Sequence, residues 1–543
     1  MLKTMFKHVN IFTILSIVIG IILLMPLANI LFELFTPPTP VWEHIKTYLL
    51  FEYISNSIYL VLMTVTLAIM IGLSAAYVIG RYQFKGRKTL SWLLVLPLAI
   101  PSYIAGYIYA DMTSFTGSLT RLIFNQPLDI MNLFGASLIF AFTLYPYIYL
   151  LVLSSLSKQS ASYGESAILL GSNKYQVFFK VTLPLLRPAL VAGSLLVILE
   201  TLNDYGLVQY FNVRVFSFAI FNAWFSLGDV VSAIRISAYL MLTVFIIIVI
   251  ERLLRGRKKF HVHVKSKSMT RKKVSRTQSF MMILFLLLIL MIGFFIPVIQ
   301  MLWYTYLTYK DTIQLSLLLT SLNSIINGVI ASILIVLIAL LIANFNRLKN
   351  RNIVSKSWVK IVNLGYAIPG AVIAIAVHIY FVGLDRALVP IYRLFNPNSP
   401  TLLITMSLFT LIFSYVLRFL SIGFNSIESQ YEKLGEKYTE SAYMLGTSKL
   451  QTLFKIDIPL IYPGMITAFI LAFIDILKEL PLTLILRPAN YDSLATLVYV
   501  YVQNEMIQEA AVPSLLLIMI AGLFIYLVTH YKKGVFSHVY KDS

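Results

Sequence analysis

The sequence predicts an all-α polytopic membrane protein with about twelve transmembrane helices in two repeats of six. Three observations lead to this fold class: the composition, the long apolar runs and an internal repeat. Of the 543 residues, 59% are hydrophobic and only 12% are charged, whereas soluble proteins carry about 25% charged residues. So few charges cannot cover a soluble body of this size, which excludes a soluble enzyme. The chain has no cysteine, so disulfides, thiolate metal sites and cysteine nucleophiles are also excluded.

Twelve apolar runs are long enough to be spans, since a helix needs about 20 mostly apolar residues to cross a bilayer. Nine of them are clean, and three carry charges near their outer ends. Together they leave little chain for a soluble domain. The predicted spans are residues 11–32, 58–79, 90–110, 133–153, 189–205, 234–250, 280–303, 325–343, 361–382, 402–417, 465–480 and 511–528.

The basic residues predict how these spans are oriented. An even number of spans places both termini on one side of the membrane, and 33 of the 43 Lys and Arg residues fall on that side. Basic loops collect on the cytoplasmic side, so we expect a multi-pass protein of the cell membrane with both termini in the cytoplasm. The net charge of +20 then reports orientation, and we expect the lipid bilayer rather than nucleic acid as its partner.

The chain divides into two similar halves. The stretch 253–278 is basic, polar and without apolar periodicity, which predicts a cytoplasmic linker between a first half at 1–252 and a second half at 279–543. Cytoplasmic loops at about 160–187 and 435–462 then repeat a motif in which every matched pair of positions has the same separation along the chain. The matched residues are Glu165, Ala167, Gly171 and Pro184 in the first loop, and Glu440, Ala442, Gly446 and Pro459 in the second.

Each loop predicts a helix, a turn and a second helix at the membrane surface. Gly171 lacks a β-carbon and suits the turn at a helix C-terminus. We expect the second helix to stop before Pro184, with the preceding residue in an extended conformation. Such a helix–turn–helix has few apolar contacts of its own, which favours docking of a cytoplasmic partner. An amphipathic helix lying on lipid is the alternative.

The motif E-[AS]-A-x3-G-x9-Φ-x-Φ-P, where Φ is apolar, resembles the EAA loop of ABC-importer membrane subunits. The resemblance extends over both halves, with Ser166 and Ser441 replacing the second small residue. It implies two fused type I permease repeats whose eight motif residues form coupling helices in grooves of ATPase subunits.

The chain itself lacks the phosphate-binding motif G-x4-G-K-[ST], whose backbone amides and lysine hold nucleotide phosphates. The resemblance therefore implies two separate ATPase subunits in the cytoplasm and an external substrate-binding protein. We expect no catalytic residue and no cofactor on this chain, with ATP and magnesium bound by the partner ATPase.

Four acids follow the two loops at equivalent positions: Glu200 and Asp204 in the first half, and Asp475 and Glu479 in the second. Charges at membrane depth are costly and mark candidate functional sites. A spacing of four residues predicts that each pair shares one helix face. Four acids related by pseudo-symmetry would suit a polar path for a cationic substrate.

The structural alternative for these acids is pairing with Lys478, Arg235 or Arg487, or a position at the outer water interface. Arg418, by contrast, is expected to end the tenth span on the cytoplasmic side and to extend its side chain towards water. The sequence does not identify a metal-ligand set.

The strings 475–488 and 494–496, together with 96–103 and 204–206, resemble the ferric-iron permeases within this superfamily. That resemblance implies import of Fe³⁺, a hard cation for which oxygen ligands suffice. Fused permeases for thiamine or an aminophosphonate have a similar layout and remain alternatives. A secondary transporter with twelve spans would not need duplicated docking loops. An intramembrane enzyme is disfavoured, because no Ser/His/Asp set or H-E-x-x-H helix occurs.

Overall fold

A computed structural model describes residues 11–121, 126–158, 166–255, 271–348, 353–434 and 437–531. These residues are almost entirely helical, which confirms the all-α fold class. Ten helices in the described ranges are long and apolar enough to cross a membrane, or eleven if one bent pair counts as a span.

In chain order the helices and strands are α1 Ile11–Glu33, α2 Pro40–His44, α3 Leu50–Arg81, β1 Tyr82–Gln83, α4 Arg87–Leu93, α5 Ser102–Thr113, α6 Leu133–Lys158, α7 Lys174–Val177, α8 Leu183–Asn203, α9 Gly206–Tyr210, α10 Phe216–Phe221, α11 Val230–Arg255, β2 Lys272–Lys273, α12 Arg276–Leu290, α13 Ile296–Thr312, α14 Leu315–Leu348, α15 Ile353–Val362, α16 Gly370–Phe395, α17 Leu408–Leu434, α18 Lys437–Met444, α19 Lys449–Thr452, α20 Ile458–Lys478, α21 Pro481–Leu486, α22 Leu494–Gln503 and α23 Ala511–Tyr531. Wider π-helical turns are Ile45–Leu49, Phe178–Thr182, Asn222–Ser226, Met291–Phe295 and Leu453–Asp457, and 3₁₀ turns are Leu96–Ala99 and Asn363–Ala367.

Each of the twelve predicted spans coincides with at least part of a helix, but three differ from the expectation. The third is broken, since its two halves, Arg87–Ala99 and Ser102–Thr113, meet at 88°. Pro101 lies at that break in an extended conformation (φ −57°, ψ 140°) and has no N–H to continue a helix. The tenth span begins at Leu408, later than predicted. The ninth, predicted from residue 361, is a continuous helix only from Gly370, after a 3₁₀ turn at Asn363–Ala367.

The chain forms two compact units, each discontinuous in sequence. The downstream unit comprises Lys310–Val498 together with Met1–Pro37 and Met519–Ser543. Its core is the packing of α17 against α14 and α20, and α1 packs on α14 and α16. At Gly20 of α1, an added Cβ would lie 2.4 Å from the Trp358 ring, so only glycine permits this approach.

The upstream unit comprises Pro38–Tyr309 together with Tyr499–Ile518. Its core repeats the same arrangement, with α6 packed against α3 and α8. The π-helical turn Met291–Phe295 contacts α6, and at Gly293 an added Cβ would lie 3.0 Å from the Phe142 carbonyl oxygen. Both units therefore repeat one three-helix core, and each receives a helix that precedes the core of the other unit in sequence.

The predicted division at 1–252, 253–278 and 279–543 concerns the sequence repeat and stays a prediction. Of the predicted linker, residues 256–270 lie outside the described residues. In its last part, β2 pairs in parallel with β1, with Tyr82 opposite Lys272. Helix α12 already begins at Arg276, where the Ser275 hydroxyl caps it by accepting the Gln278 N–H.

Candidate functional site

The described parts of the two loops that carry the repeated motif, from residue 166 and from residue 437 onwards, contain the same turn. In the upstream loop, residues 166–169 are helical and Gly171 follows with φ +85°. The Gly171 N–H donates to the Ile168 carbonyl oxygen at 2.9 Å, and the Ser172 N–H donates to that of Ala167 at 3.0 Å. This pair of bonds closes a helix end with a left-handed residue. The turn predicted at Gly171 is confirmed.

The downstream loop repeats these bonds at the equivalent positions of the motif. Gly446 has φ +81°, its N–H donates to the Tyr443 carbonyl oxygen at 3.0 Å, and the Thr447 N–H donates to that of Ala442 at 3.2 Å. The next helix in each loop begins with a reciprocal cap, formed by Asn173 with Gln176 and by Ser448 with Gln451. The described part of each loop therefore has a defined turn followed by a capped helix.

The predicted end of the second loop helix before proline is wrong in both copies. Helix runs without interruption through Lys174–Asn203 and through Lys449–Lys478. The residues before Pro184 and Pro459 are helical: Leu183 has φ −62° and ψ −44°, and Ile458 has φ −56° and ψ −49°. A π-helical turn precedes each proline, and this wider turn leaves room where the ring would clash in a regular helix.

Apolar side chains project from both loops. Leu169 and Leu170 are 87% and 86% exposed, and their counterparts Met444 and Leu445 are 92% and 84% exposed. Tyr175 and Phe179, with counterparts Leu450 and Phe454, extend this surface and are also exposed. We call these two surfaces the loop patches. Large exposed apolar patches mark interaction sites.

The small motif residues lie behind the patches. Ala442 is buried and Ala167 is half-buried, so neither belongs to the exposed apolar surface. Glu440 is exposed in the first turn of α18, where the helix dipole favours a negative charge. Glu165 lies outside the described residues. The docking role of these residues stays a prediction.

Of the four predicted path acids, Asp204 and Glu479 occupy equivalent breaks in the helix. Both follow the last helical residue, with ψ of 128° at Asp204 and 114° at Glu479. Asp204 Oδ1 accepts the Leu207 N–H at 2.8 Å, and Glu479 Oε1 accepts the Leu482 N–H at 3.1 Å. Each carboxylate therefore caps the short helix after the break, α9 or α21.

The positions of these caps show that the two acids of each pair do not share one helix face, contrary to the expectation. Glu200 and Asp475 lie within α8 and α20, but the second acid of each pair lies beyond the helix end. Asp475 Oδ1 is 3.7 Å from Lys478 Nζ, which is one of the pairings foreseen as the structural alternative. Glu200 is half-buried. Whether any of the four lines a translocation path stays a prediction.

A buried ion pair joins α17 to the downstream break. Arg418 Nη2 lies 3.5 Å from Glu479 Oε2, and both side chains are almost fully buried. Gly370, the first residue of α16, provides the space, because a Cβ there would lie 2.0 Å from Arg418 Nη1 and 2.7 Å from Glu479 Oε1. At the matching position of the upstream half, directly after Pro101, Ser102 instead shares a hydrogen bond with Thr143 at 3.2 Å.

The expectation that Arg418 extends to the cytoplasmic water is therefore wrong. The apolar run 402–417 ends before it, but α17 begins at Leu408 and continues to Leu434, so Arg418 lies well inside the helix. Gly370 is a functional candidate that the sequence did not indicate, and Arg418 is one that it placed wrongly at the water interface. Two features of the sequence could have indicated these residues. Arg418 directly follows an apolar run, and Gly370 directly follows Pro369, which matches Pro101 in the first half.

No group of three or more His, Asp or Glu residues that could hold a metal ion occurs among the described residues.

Sequence comparisons identify one family and several relatives. The family described as binding-protein-dependent transport system inner membrane component matches residues 68–260 and 335–531. The Fe(3+)-transport system permease protein FbpB 2 of Haemophilus influenzae is 24% identical over 488 residues, covering 88% of this chain and 90% of that protein.

Sulfate permeases match shorter segments. The sulfate transport system permease protein CysT of Escherichia coli is 34% identical over 140 residues, which are 26% of this chain and 50% of that protein. The related CysW of the same organism is 28% identical over 195 residues, covering 36% of this chain and 67% of that protein.

Proposed function

The chain belongs to the binding-protein-dependent transport system inner membrane component family, and we propose that it is the membrane-spanning subunit of an ATP-driven importer of ferric iron. In this proposal two copies of a separate ATPase drive the transport, and an external binding protein delivers the substrate. Both termini face the cytoplasm. No nucleotide site is proposed on the chain itself, because ATP and magnesium bind to the ATPase.

One observation carries the mechanism: each loop is continuous with a spanning helix that ends at a capping acid. The helices Lys174–Asn203 and Lys449–Lys478 each contain 30 residues, which at about 1.5 Å per residue gives a rod of about 45 Å. A displacement of the loop patch is therefore transmitted along the helix to the break at Asp204 or Glu479. ATPase closure on the loops would move the two breaks and switch access to the path.

The loop patches supply the ATPase contact. Their apolar side chains are exposed in a part of the chain predicted to face the cytoplasm, and burying an exposed Leu contributes roughly 1.5–3 kcal/mol. The eight motif residues position these patches: Gly171 and Gly446 turn the chain, and Ala167 and Ala442 allow close packing. Glu165 and Glu440 are assigned the same docking role from the motif.

The ferric-iron substrate is supported by the extent of the match to the iron permease, which covers nine tenths of that relative. The sulfate permeases match only about a quarter to a third of this chain. Carboxylate oxygens suit a hard cation, and Glu200, Asp204, Asp475 and Glu479 are the proposed acids near the path. The buried Arg418 favours sulfate as the second candidate, because a guanidinium binds oxyanions well. Thiamine and an aminophosphonate remain further competitors.

The test is uptake into liposomes that contain the chain with its ATPase and binding protein. We expect ATP-dependent accumulation of radioactive ferric iron that sulfate, thiamine and aminophosphonates do not inhibit. The substitution Glu200→Ala, which leaves the buried pair of Arg418 and Glu479 intact, should lower iron uptake while the ATPase stays bound. Accumulation of sulfate without iron would overturn the iron assignment and leave the ATP-driven permease intact.

A further inference from the structure

A second buried ion pair lies at the base of the downstream loop. Arg347 Nη1 is 2.9 Å from Asp457 Oδ1, and the two side chains are only 9% and 6% exposed. Arg347 is in the last turn of α14, and Asp457 ends the π-helical turn that leads from the loop into α20. The pair thus connects two spanning helices at the point where the loop continues into α20.

The same guanidinium reaches the loop itself. Arg347 Nη2 donates to the Thr439 hydroxyl in α18, and that hydroxyl donates to Asp457 Oδ1 at 3.0 Å. The guanidinium carbon also lies 4.6 Å from the centre of the Tyr431 ring in α17. The planar, multidentate guanidinium can hold several partners in fixed directions, which an ammonium group cannot do. Arg347 therefore connects its own helix α14 to α17, to α18 and to the π-helical turn before α20.

The upstream loop has no equivalent acid. The alignment of the two motifs places Thr182 where the downstream loop has Asp457. Thr182 is also buried, but a hydroxyl cannot form an ion pair with an arginine. The two loops share the same turn, the same caps and the same exposed patch, so this pair is a specific difference between them.

We propose that Arg347 and Asp457 are positioning residues that transmit movement of the downstream loop to α14 and α20, which makes the two loops unequal in driving transport. The inference rests on the proposed coupling of the loops to an ATPase. With the pair intact, a force on the downstream patch moves α14, α18 and α20 as one body. In the upstream loop, Thr182 stands in place of Asp457, so a force passes into α8 without such an ion pair.

The test uses the complete transporter in liposomes and compares three measurements: ATPase retained, ATP hydrolysed and substrate taken up. The central variant is Arg347→Met with Asp457→Leu, because replacing both members of a buried pair by apolar side chains is often tolerated. We expect retained ATPase and continued hydrolysis, with uptake per ATP reduced about tenfold, a size typical of coupling between sites. The reversed pair, Arg347→Asp with Asp457→Arg, should restore much of the uptake per ATP.

Two further variants separate transmission from stability. Thr439→Val keeps both charges but removes the bridge to α18, so uptake per ATP should fall while the protein remains assembled. Thr182→Val is the matched upstream control and should leave the ratio unchanged. If the double apolar variant does not assemble, the reversed pair and Thr439→Val decide the question.

An unchanged uptake per ATP in the double apolar variant or in Thr439→Val would overturn the inference. An equal loss in Thr182→Val would overturn the inequality of the loops. Failure of the unsubstituted chain to retain any ATPase is a different result, because it would overturn the proposed function itself.

Discussion

Arg418 and Glu479 form a buried ion pair, with Nη2 3.5 Å from Oε2, and Glu479 also caps α21 through the Leu482 N–H. One carboxylate therefore binds a guanidinium from a spanning helix and holds the helix that follows the break. Any movement at this break has to carry Arg418 with it or separate the two charges.

Separating the charges by mutation should be costly. Glu479→Gln leaves the buried Arg418 guanidinium without its carboxylate, and we expect a loss of about 3–5 kcal/mol in stability. Thermal unfolding of the purified protein in detergent measures it. The exposed pair of Lys46 and Glu43, 4.0 Å apart, supplies the control: Glu43→Gln should change stability by less than about 1 kcal/mol. Equal effects of the two substitutions would contradict the structural role of the buried pair.

Gly370 should tolerate no side chain. Gly370→Ala puts a Cβ within 2.0 Å of Arg418 Nη1, and we expect a destabilisation of about 1–3 kcal/mol from overpacking. Gly383→Ala in the same helix α16 is the matched control, since nothing lies within 4 Å of its added Cβ. There alanine should be neutral or stabilise the helix by up to about 1 kcal/mol. The same unfolding measurement compares the two variants, and a neutral Gly370→Ala would refute the close contact.

The loop glycines should be needed for their backbone conformation. Gly171→Val and Gly446→Val place a branched side chain at φ +85° and +81°, which costs roughly 1–2 kcal/mol per residue. Neither added Cβ meets another part of the chain within 4 Å, so the expected cost comes from the local backbone conformation. ATP-dependent uptake should fall in the double variant, and asparagine at both sites should retain more activity. Gly522→Val, also free of contacts but at an ordinary φ, is the control and should retain uptake.

The loop patches should bind the ATPase. Replacing Leu169, Leu170, Met444 and Leu445 by serine should weaken ATPase retention at least about tenfold, because each buried Leu contributes roughly 1.5–3 kcal/mol. Co-purification in detergent measures this retention. Leu394→Ser with Phe395→Ser is the control, since both residues are similarly exposed at 82% and 89% but lie at the end of α16. Unimpaired retention in the quadruple variant would exclude the patches as the docking surface.

The proposed orientation can be tested with introduced cysteines, because the chain has none. Ser268→Cys in the basic linker should react with an impermeant thiol reagent only in inside-out vesicles. Ser399→Cys in the segment between α16 and α17 should react in intact cells. The opposite pattern would reverse the proposed positions of the termini and of both loops.

The sequence was a good guide wherever a pattern repeats. Apolar run lengths identified helices because spanning a bilayer imposes one length, and the constant separation between matched motif positions identified both glycine turns. The duplicated motif also pointed to the family. These features depend on local or periodic signals, which a single sequence contains.

Features that depend on tertiary contacts were missed. A proline near the start of a spanning helix predicts a break in the helix. The π-helical turns before Pro184 and Pro459 instead accommodate the proline rings, and the helix continues. Arg418 was assigned to the water interface because the start of α17 could not be located within an apolar run. Its partner Glu479 is distant in the printed sequence, and nothing local connects the two.

The discontinuous units constrain how the protein is made. The downstream unit draws on residues up to the C-terminal helix, and the upstream unit on Tyr499–Ile518. Neither unit has all its segments until the ribosome has translated past Val498. At about 5–20 residues per second, translation as far as Val498 takes roughly half a minute to two minutes. During this time, helices that are already inserted lie in the bilayer without some of their packing partners. A stop codon anywhere before Tyr499 would leave both units incomplete.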